Sequence, residues 1–495
     1  MPHLSTDNNV DNGSIMSQQI RVGFIGLSGN KGWAVKSHYL AIKQLQKDYR
    51  ITALLNSTLE SSRKTIGDLQ LDPGTCKPFG NDIIKFAQYD QIDLIVVSVK
   101  VPEHYKICMD LLENKPNGGK GFKILYVEWS LGNGLNEAQK IYDKASEVGV
   151  QGIICLQGRY SPYILRAKEL INNGGIGEIN CIEISANGGW YGYERPIKSP
   201  SYLYDLKSGT NLITIAFAHT IDLIQYITGS YFNNISSMIF NNISEQELVD
   251  EHGKPTGQFV KKTVPDHLLF QGSLIEGNVP VSCSFKGGTP QKKFTKNLVI
   301  DIHGTKGDLK IEGDAGFPEI SNLVLYFCGI RHTLSPDSAN NSTDKDNASL
   351  SSSYNNNTYF KIKNQNTFNG EDVEKADTAS QYPCKKRRIV SFQRDNSSTN
   401  NNVDQTVEVY HLRNYNPVVG NIMRVYEAIT KYYRNEGIHR SGDQENDSIK
   451  LFDAQKMNNH GFPTFKDALI LHRLIENVFE SSKDHKTVNV SHIDE

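Results

Sequence analysis

Short apolar runs and longer amphipathic stretches alternate along the first third of the chain. The apolar runs lie at residues 21–25, 50–55, 93–99, 123–127 and 152–156. Stretches with helical periodicity lie between them, at residues 58–68, 102–112 and 136–147. Largely apolar runs are typical of parallel strands that are covered on both faces. The alternation over residues 20–157 therefore predicts an α/β fold with a doubly wound parallel sheet.

A different pattern begins after residue 159. Helices are predicted at residues 162–172 and 211–227, with a half-buried strand at 179–186. Alternating runs then follow without helices between them, at residues 266–274, 279–285, 298–303, 308–312 and 323–327. A strand at 407–412 and helices at 418–433 and 464–480 complete the pattern. Consecutive strands predict an α+β domain with a large, open, mixed or antiparallel sheet.

These patterns predict the domain organisation of the chain. It consists of a disordered tail at 1–19, a Rossmann nucleotide-binding domain at 20–158, an α+β domain at 159–330 and 406–480, a disordered insertion at 331–405, and a tail at 481–495. The insertion is rich in Asn, Ser and Asp, and has too few apolar residues to offset the entropy cost of ordering. Its basic run Lys385-Lys386-Arg387-Arg388 fits either a nuclear-import signal or a solvated charge cluster.

The composition excludes several classes of protein. A formal net charge of −2 at pH 7 argues against a general nucleic-acid binder. Membrane spans need roughly 18 consecutive apolar residues, and no run in the sequence is that long. The 7 cysteines are scattered and form no CxxC pair, so neither a disulfide framework nor a metal site is predicted. This cysteine usage indicates a reducing compartment.

Glycines at positions 23, 26, 29 and 32 mark the turn between the first strand and the first helix. Such a turn lets the backbone approach a ligand, and the helix amides then face a dinucleotide pyrophosphate. Ser28 and Lys31 stand at the second and third glycine positions of the usual fingerprint, so an ordinary strand–helix turn is the alternative. We expect Gly26, Ser28, Gly32 and Trp33 to line the pyrophosphate and the nicotinamide ribose.

Two further strand ends supply candidate cofactor contacts. NAD enzymes place an acid after the second strand to bind the ribose hydroxyls, but here Asn56 and Ser57 are neutral. A neutral site does not repel a 2′-phosphate, so NADP is expected to be tolerated or preferred. Val99, Glu103 and His104 follow the apolar run at 93–99, at the sheet edge where ligands bind. His104 fits a ligand contact or a helix-packing role equally.

The whole layout resembles the glucose–fructose oxidoreductase/inositol dehydrogenase/MocA family. The residues that carry this resemblance are 23–37, Glu128 at a strand end, and the His219-Thr220-Ile221-Asp222 helix. Longer strings, among them GNKGWAVKSHY, VEWSLG and LQGRYSPYILRAKELI, resemble a non-catalytic branch of that family, the repressors of the galactose pathway. This resemblance covers roughly residues 20–330 and 406–480.

Dehydrogenases of this family carry a Glu-Lys-Pro triplet, whose Lys polarises or deprotonates the substrate oxygen. The matching triplet here is Glu128-Trp129-Ser130, and an indole is neither an acid nor a base at neutral pH. The family helix usually reads Asp-x-Gly-x-His-x-x-Asp. In this chain the first Asp is Ile215, whereas His219 is retained. General acid–base catalysis needs its groups positioned together, so no catalytic residue and no enzyme activity are predicted.

The resemblance implies a transcriptional regulator rather than an enzyme. Such a protein represses galactose- and lactose-utilisation genes by binding the acidic activation segment of the galactose activator, and a galactokinase-like sensor relieves it. NAD or NADP would be bound but not turned over. The resemblance also implies a homodimer in nucleus and cytoplasm, with no direct DNA or membrane contact. It further implies that the α+β domain serves dimerisation and partner binding. An active NAD(P)-dependent sugar oxidoreductase is the alternative.

The last cofactor candidates come from the strand ends and the family match. They are Glu128, Trp129, Arg159 and His219. Arg159 is expected to pair with Glu128 or with a phosphate, and the sequence does not choose between these. His219 is expected to pack and hydrogen-bond, although an isolated histidine can also act as a general base.

Overall fold

A computed structural model describes residues 19–29, 32–189, 191, 202–250, 252–288, 296–330, 386–392, 405–410, 412, 414–435 and 462–490. These residues form two compact units. The first comprises the described residues of Met1–Glu128, Ile141–Ile153 and Ile422–Thr464. The second comprises those of Trp129–Lys140, Ile154–Asn421 and Phe465–Glu495. No helix among the described residues is both long enough and apolar enough to cross a membrane.

The first unit contains a six-stranded sheet. The last two residues of the sixth strand are assigned to the second unit. Its strands are β1 (Ile20–Ile25), β2 (Tyr49–Leu55), β3 (Lys77–Phe79), β4 (Leu94–Val97), β5 (Ile124–Glu128) and β6 (Gln151–Cys155). Their order is β3-β2-β1-β4-β5-β6, and β1 pairs in parallel with both β2 and β4. The chain therefore runs outward in both directions from β1, which confirms the predicted doubly wound sheet.

The helices among the described residues match the predicted stretches, apart from a short helix at Ile83–Ala87 that the sequence did not predict. They are α1 (Leu40–Gln44), α2 (Leu59–Asp68), α3 (Ile83–Ala87), α4 (Val101–Glu113), α5 (Leu135–Glu147), α6 (Pro162–Asn172), α7 (Ala218–Thr228), α8 (Pro417–Asn435) and α9 (Phe465–Asp484). Helix α1 continues a π-helical turn at Val35–Tyr39, and α7 continues another at Leu212–Phe217. Short 3₁₀ turns lie at Gln157–Tyr160, Tyr202–Tyr204, Leu206–Ser208 and Glu276–Asn278.

A buried ion pair fastens β1 beside β4. The Arg21 guanidinium donates to both carboxylate oxygens of Asp93, at 2.9 and 2.7 Å, and the Arg21 backbone N–H donates to Asp93 as well. Both side chains are less than a tenth exposed. A bidentate pair of this kind fixes orientation as well as distance, so the register of the two central strands is well defined.

A ten-stranded mixed sheet dominates the second unit. Its strands are β7 (Ile179–Gly188), β8 (Phe232–Phe240), β11 (His267–Leu274), β12 (Pro280–Gly287), β13 (Leu298–Gly304), β14 (Gly307–Gly313), β15 (Leu323–Ile330), β16 (Lys386–Phe392), β17 (Gln405–Tyr410) and β18 (Val488–Asn489). The order is β16-β17-β15-β14-β13-β7-β12-β11-β8-β18. Strands β7 and β12 are parallel, whereas β7 and β13 are antiparallel. The predicted mixed sheet is thus confirmed.

Six strands were not predicted from the sequence, namely β3, β8, β16, β18 and a hairpin of two more. Strand β8 contains adjacent serines and asparagines. The hydroxyl of its inward-facing Ser237 donates to the Val478 carbonyl of helix α9 at 2.6 Å. Strands β9 (Glu245–Val249) and β10 (Pro255–Lys261) form a separate hairpin. Almost every residue of β10 is exposed, so it lacks the alternating apolar pattern of a half-buried strand.

The structure also differs from the predicted segments at their ends. Strand β16 lies inside the expected insertion and pairs with β17, while residues 331–385 and 393–404 lie outside the described residues. Lys385 of the basic run is outside them too, and the run's other residues begin β16. In the expected C-terminal tail, helix α9 continues to Asp484 and β18 pairs with β8. Residues Ile422–Thr464 belong to the first unit, whereas the sequence analysis assigned 406–480 to the α+β domain.

Candidate nucleotide site

The turn after β1 is built around Gly26. Its φ angle is +89°, in the region that side chains rarely adopt, and a Cβ at this position would lie 2.2 Å from the Ser98 carbonyl oxygen. Only glycine therefore fits where the turn crosses the end of β4. Beyond the turn, Ser28 is exposed and Gly32 packs beside it, while Lys31 lies outside the described residues.

Asn56 anchors this turn from the end of β2. Its side-chain amide donates to the Leu27 carbonyl at 2.9 Å, and Thr65 of helix α2 accepts from the Gly29 N–H at 3.2 Å. Asn56 is buried, whereas Ser57 beside it is exposed. The amide of Asn56 is therefore committed to the loop rather than open to a ribose. A carboxylate could not donate this hydrogen bond, which gives a physical reason for the missing acid.

Trp33 and Glu128, two of the predicted site residues, are in contact. The Trp33 indole N–H donates to Glu128 Oε1 at 2.5 Å, and the indole remains 37% exposed. His38, which the sequence reasoning missed, also contacts Glu128 Oε1, through Nε2 at 2.8 Å. His38 is fully buried, and its Nδ1 lies 2.8 Å from the Tyr426 hydroxyl. A fixed carboxylate at the end of β5 thus lies beside the first helix.

The third strand end offers fewer contacts than expected. His104 is fully buried, and its Nε2 lies 3.2 Å from the Val99 carbonyl oxygen. It therefore closes the turn between β4 and α4, which is the packing role rather than the ligand contact. Glu103 is exposed and Val99 is half-buried, so both remain accessible.

The other predicted site residues belong to the second unit, where Trp129 occupies the position of the family's catalytic lysine. Its indole N–H donates to the Thr214 carbonyl at 2.6 Å, and its ring lies 4.8 Å from that of His472. Only 5% of Trp129 is exposed. The side chain is thus a packed hydrogen-bond donor with no capacity for proton transfer.

Arg159 pairs with two aspartates of its own unit. Its guanidinium binds both oxygens of Asp222, at 2.9 and 2.6 Å, and a third N–H donates to Asp467 at 2.8 Å. Burial opposes its charge, but the two carboxylates hold the Arg159 pKa well above its ordinary value. Burial raises the pKa of Asp222, and Arg159 opposes that change. The guanidinium is therefore committed to a structural triad rather than to a phosphate.

His219 lies near the carboxylate of Glu319 in the second unit. Its Nε2 lies 3.8 Å from Glu319 Oε1, beyond hydrogen-bond distance, and Asp222 on the same helix is bound to Arg159. His219 is also buried, which fits the packing role that the sequence favoured.

Comparisons with known proteins identify the family. A galactose/lactose metabolism regulatory protein, GAL80 of Kluyveromyces lactis, is 52% identical over 482 residues, which are 96% of each chain. The family described as Gal80p, C-terminal domain, matches residues 162–313. The chain belongs to the Gal80 family of galactose/lactose metabolism regulators. The expectation of a regulator rather than an enzyme is confirmed, because its curated Gal80 relatives are regulatory proteins.

Solved structures agree with this assignment. A super-repressor mutant of Gal80p from Saccharomyces cerevisiae is 48% identical, with a TM-score of 0.74 and coverage of 96% of this chain and 98% of that one. A levoglucosan dehydrogenase in complex with NADH and L-sorbose has a TM-score of 0.62 at 14% identity, covering 96% of this chain and all of its own. That second likeness shows the shared dehydrogenase fold alone.

Removing the Arg159 charge should strongly destabilise the second unit. Arg159→Met leaves the buried Asp222 and the partly buried Asp467 without this cation, so we expect a loss of about 3–5 kcal/mol in unfolding free energy. Lys85→Met serves as the control, because Lys85 pairs with Asp82 at the surface. That variant should leave the unfolding free energy nearly unchanged, because water and salt screen a surface pair. Denaturant unfolding monitored by circular dichroism measures both, and equal effects would contradict the structural role of the triad.

His472 should make the protein acid-sensitive. Burial lowers its pKa from 6.5 to about 3, and its Nε2 has no hydrogen-bond partner among the described residues. Between these values the unfolded chain binds a proton that the folded chain does not, so stability falls as the pH falls below 6.5. At pH 5 this loss is about 2 kcal/mol. His472→Phe should flatten the acid limb of the stability profile in urea titrations, and an unchanged slope would contradict the assignment.

Proposed function

We propose that the chain represses galactose- and lactose-utilisation genes by binding the acidic activation segment of the galactose activator, and that a galactokinase-like sensor relieves it. The observation that carries this proposal is Trp129, whose indole N–H is bound to Thr214 where a catalytic lysine would be needed. A dehydrogenase fold without that group is suited to binding. An acidic segment that is disordered alone would fold as it binds.

We propose that NAD or NADP binds the first unit at the turn between Gly26 and Trp33 and is not turned over. Three features support this: the glycine-only approach at Gly26, the exposed rim of Ser28 and Trp33, and the carboxylate of Glu128. When bound, the nucleotide would accept hydrogen bonds from the loop amides through its pyrophosphate. It would not take part in a redox step. The remaining accessible contacts would be Gly32, Ser57, Val99 and Glu103. The neutral Asn56 and Ser57 make NADP acceptable.

We also propose a homodimer formed on the open face of the ten-stranded sheet. Met238 on β8 and Leu269 on β11 are directly opposite each other and are 51% and 39% exposed. They line a groove of about 540 Å³, together with serines and the carboxylate of Glu183. Exposed apolar pairs on a sheet face favour burial against a second copy. A dimer would bind a dimeric activator with higher avidity, and the expected nuclear and cytoplasmic location suits that partner.

Nucleotide occupancy should change the affinity for the activator. A labelled acidic activation peptide is titrated into the full chain by fluorescence anisotropy, alone and with saturating NAD or NADP. If the bound nucleotide acts as a regulator, it changes the peptide affinity. We expect a change of about fivefold or more, within the usual range of coupling between two sites. Gly26→Ala places a Cβ against the Ser98 carbonyl, so it should abolish that change.

Gly67→Ala is the matched control for this experiment, because a Cβ there meets nothing within 4 Å. It should keep the nucleotide effect of the unaltered chain, and thermal melting checks that both variants fold. A peptide that does not bind under any condition would contradict the repressor proposal. A peptide affinity that ignores both nucleotides would contradict the regulatory role of the cofactor.

A further inference from the structure

A hydrogen-bonded chain of four side chains runs from the surface of the first unit into its core. It consists of Trp33, Glu128, His38 and Tyr426, linked by distances of 2.5, 2.8 and 2.8 Å in that order. Exposure falls along it, from 37% for Trp33 to nothing for His38 and Tyr426. The exposed end is a predicted nucleotide contact, and the buried end belongs to helix α8.

The proton positions follow from the partners in this chain. A carboxylate can only accept, so Glu128 Oε1 accepts both the Trp33 indole N–H and the His38 Nε2–H. In the neutral imidazole, the remaining Nδ1 then accepts from the Tyr426 hydroxyl. Every donor has an acceptor in this arrangement. Removing the Tyr426 hydroxyl would leave Nδ1 without its donor and free the imidazole ring to turn.

The π-helical turn at Val35–Tyr39 explains how two residues of one helix reach the same oxygen. Trp33 and His38 are five residues apart, which in an α-helix places them about 140° apart around the axis. A turn with i to i+5 hydrogen bonds is wider and brings such residues back toward one face. Such turns occur frequently at functional sites, and here the turn lets both side chains hold Glu128.

Tyr426 is itself held firmly. Its backbone carbonyl accepts from the Tyr49 hydroxyl at 2.6 Å and from Thr430 Oγ1 at 3.1 Å. The rings of His38, Tyr49 and Tyr126 pack against it edge-on, with centroids 5.1 to 5.8 Å away. The position of helix α8 therefore fixes the hydroxyl that orients His38.

We infer that His38 and Tyr426 are positioning residues of the nucleotide site, holding the Glu128 carboxylate against Trp33 and linking helix α8 to nucleotide affinity. This inference rests on the proposed binding of NAD or NADP at the Gly26 turn. Neither residue touches the nucleotide, because both are fully buried. A displacement of α8 would move the Tyr426 hydroxyl, release the imidazole and loosen Trp33 at the surface.

Paired tyrosine variants test the inference. Tyr426→Phe removes the hydroxyl that orients His38, and Tyr163→Phe removes the hydroxyl of another buried tyrosine, which accepts from the Leu412 N–H in the second unit. NADP affinity is measured by titration calorimetry on the full chain. We expect Tyr426→Phe to weaken it about three- to tenfold, as the loss of one hydrogen bond would, and Tyr163→Phe to change it less than twofold.

A spectroscopic signal separates positioning from general destabilisation. The chain has 3 tryptophans, so 5-fluorotryptophan labelling gives a small set of fluorine NMR signals, and Trp33→Phe assigns the one from Trp33. That signal should move in Tyr426→Phe and stay in place in Tyr163→Phe. If Tyr426→Phe folds poorly, His38→Phe replaces it, with the same signal expected to move and a larger loss of affinity.

The outcomes distinguish the two proposals. Equal effects of the two tyrosine variants, or a Trp33 signal that neither variant moves, would overturn the positioning role and leave the nucleotide site standing. An unaltered chain that binds neither NAD nor NADP would overturn both. A selective loss of affinity with a selective shift of the Trp33 signal is the result that the structure leads us to expect.

Discussion

The second unit depends on one buried cation. Arg159 follows β6 and binds Asp222 on α7 and Asp467 on α9, so a single guanidinium ties two helices to the segment that enters the unit. Burying these charges is costly unless every one is paired, and here the pairing is bidentate on one side. The guanidinium engages both carboxylate oxygens of Asp222, which lies on the same helix as His219.

The residue that stands where the resemblance expects a catalytic lysine and the turn proposed to bind the nucleotide lie on different units. In the second unit, Trp129 packs on His472 and donates to Thr214. In the first unit, Gly26 has a φ of +89°, which glycine adopts readily and other residues rarely do. Nucleotide binding and the absence of chemistry can therefore be tested separately.

Local sequence patterns were sufficient to predict the fold. They could not predict which residues that lie far apart in the sequence contact each other. The hydrophobic pattern predicts several elements correctly, because their apolar positions show which residues are buried. These elements are β1, β2, β4, β5 and α6. Strand β8 was missed, since Ser237 is inward-facing yet polar, and α9 satisfies it. Arg159 was named from the sequence, but Asp467 lies 308 residues further on, and no spacing rule connects them. His38 was missed for the same reason, because Tyr426 lies 388 residues away.

The central claim is that this fold binds a nicotinamide nucleotide and does no chemistry with it. The most direct measurement incubates the purified chain with oxidised NAD or NADP and a panel of sugars, then recovers the nucleotide from the protein. The account predicts about one nucleotide per chain, recovered in the oxidised form with every sugar. Reduced nucleotide that accumulates beyond one equivalent per chain would contradict it, because that requires a working hydride-transfer site.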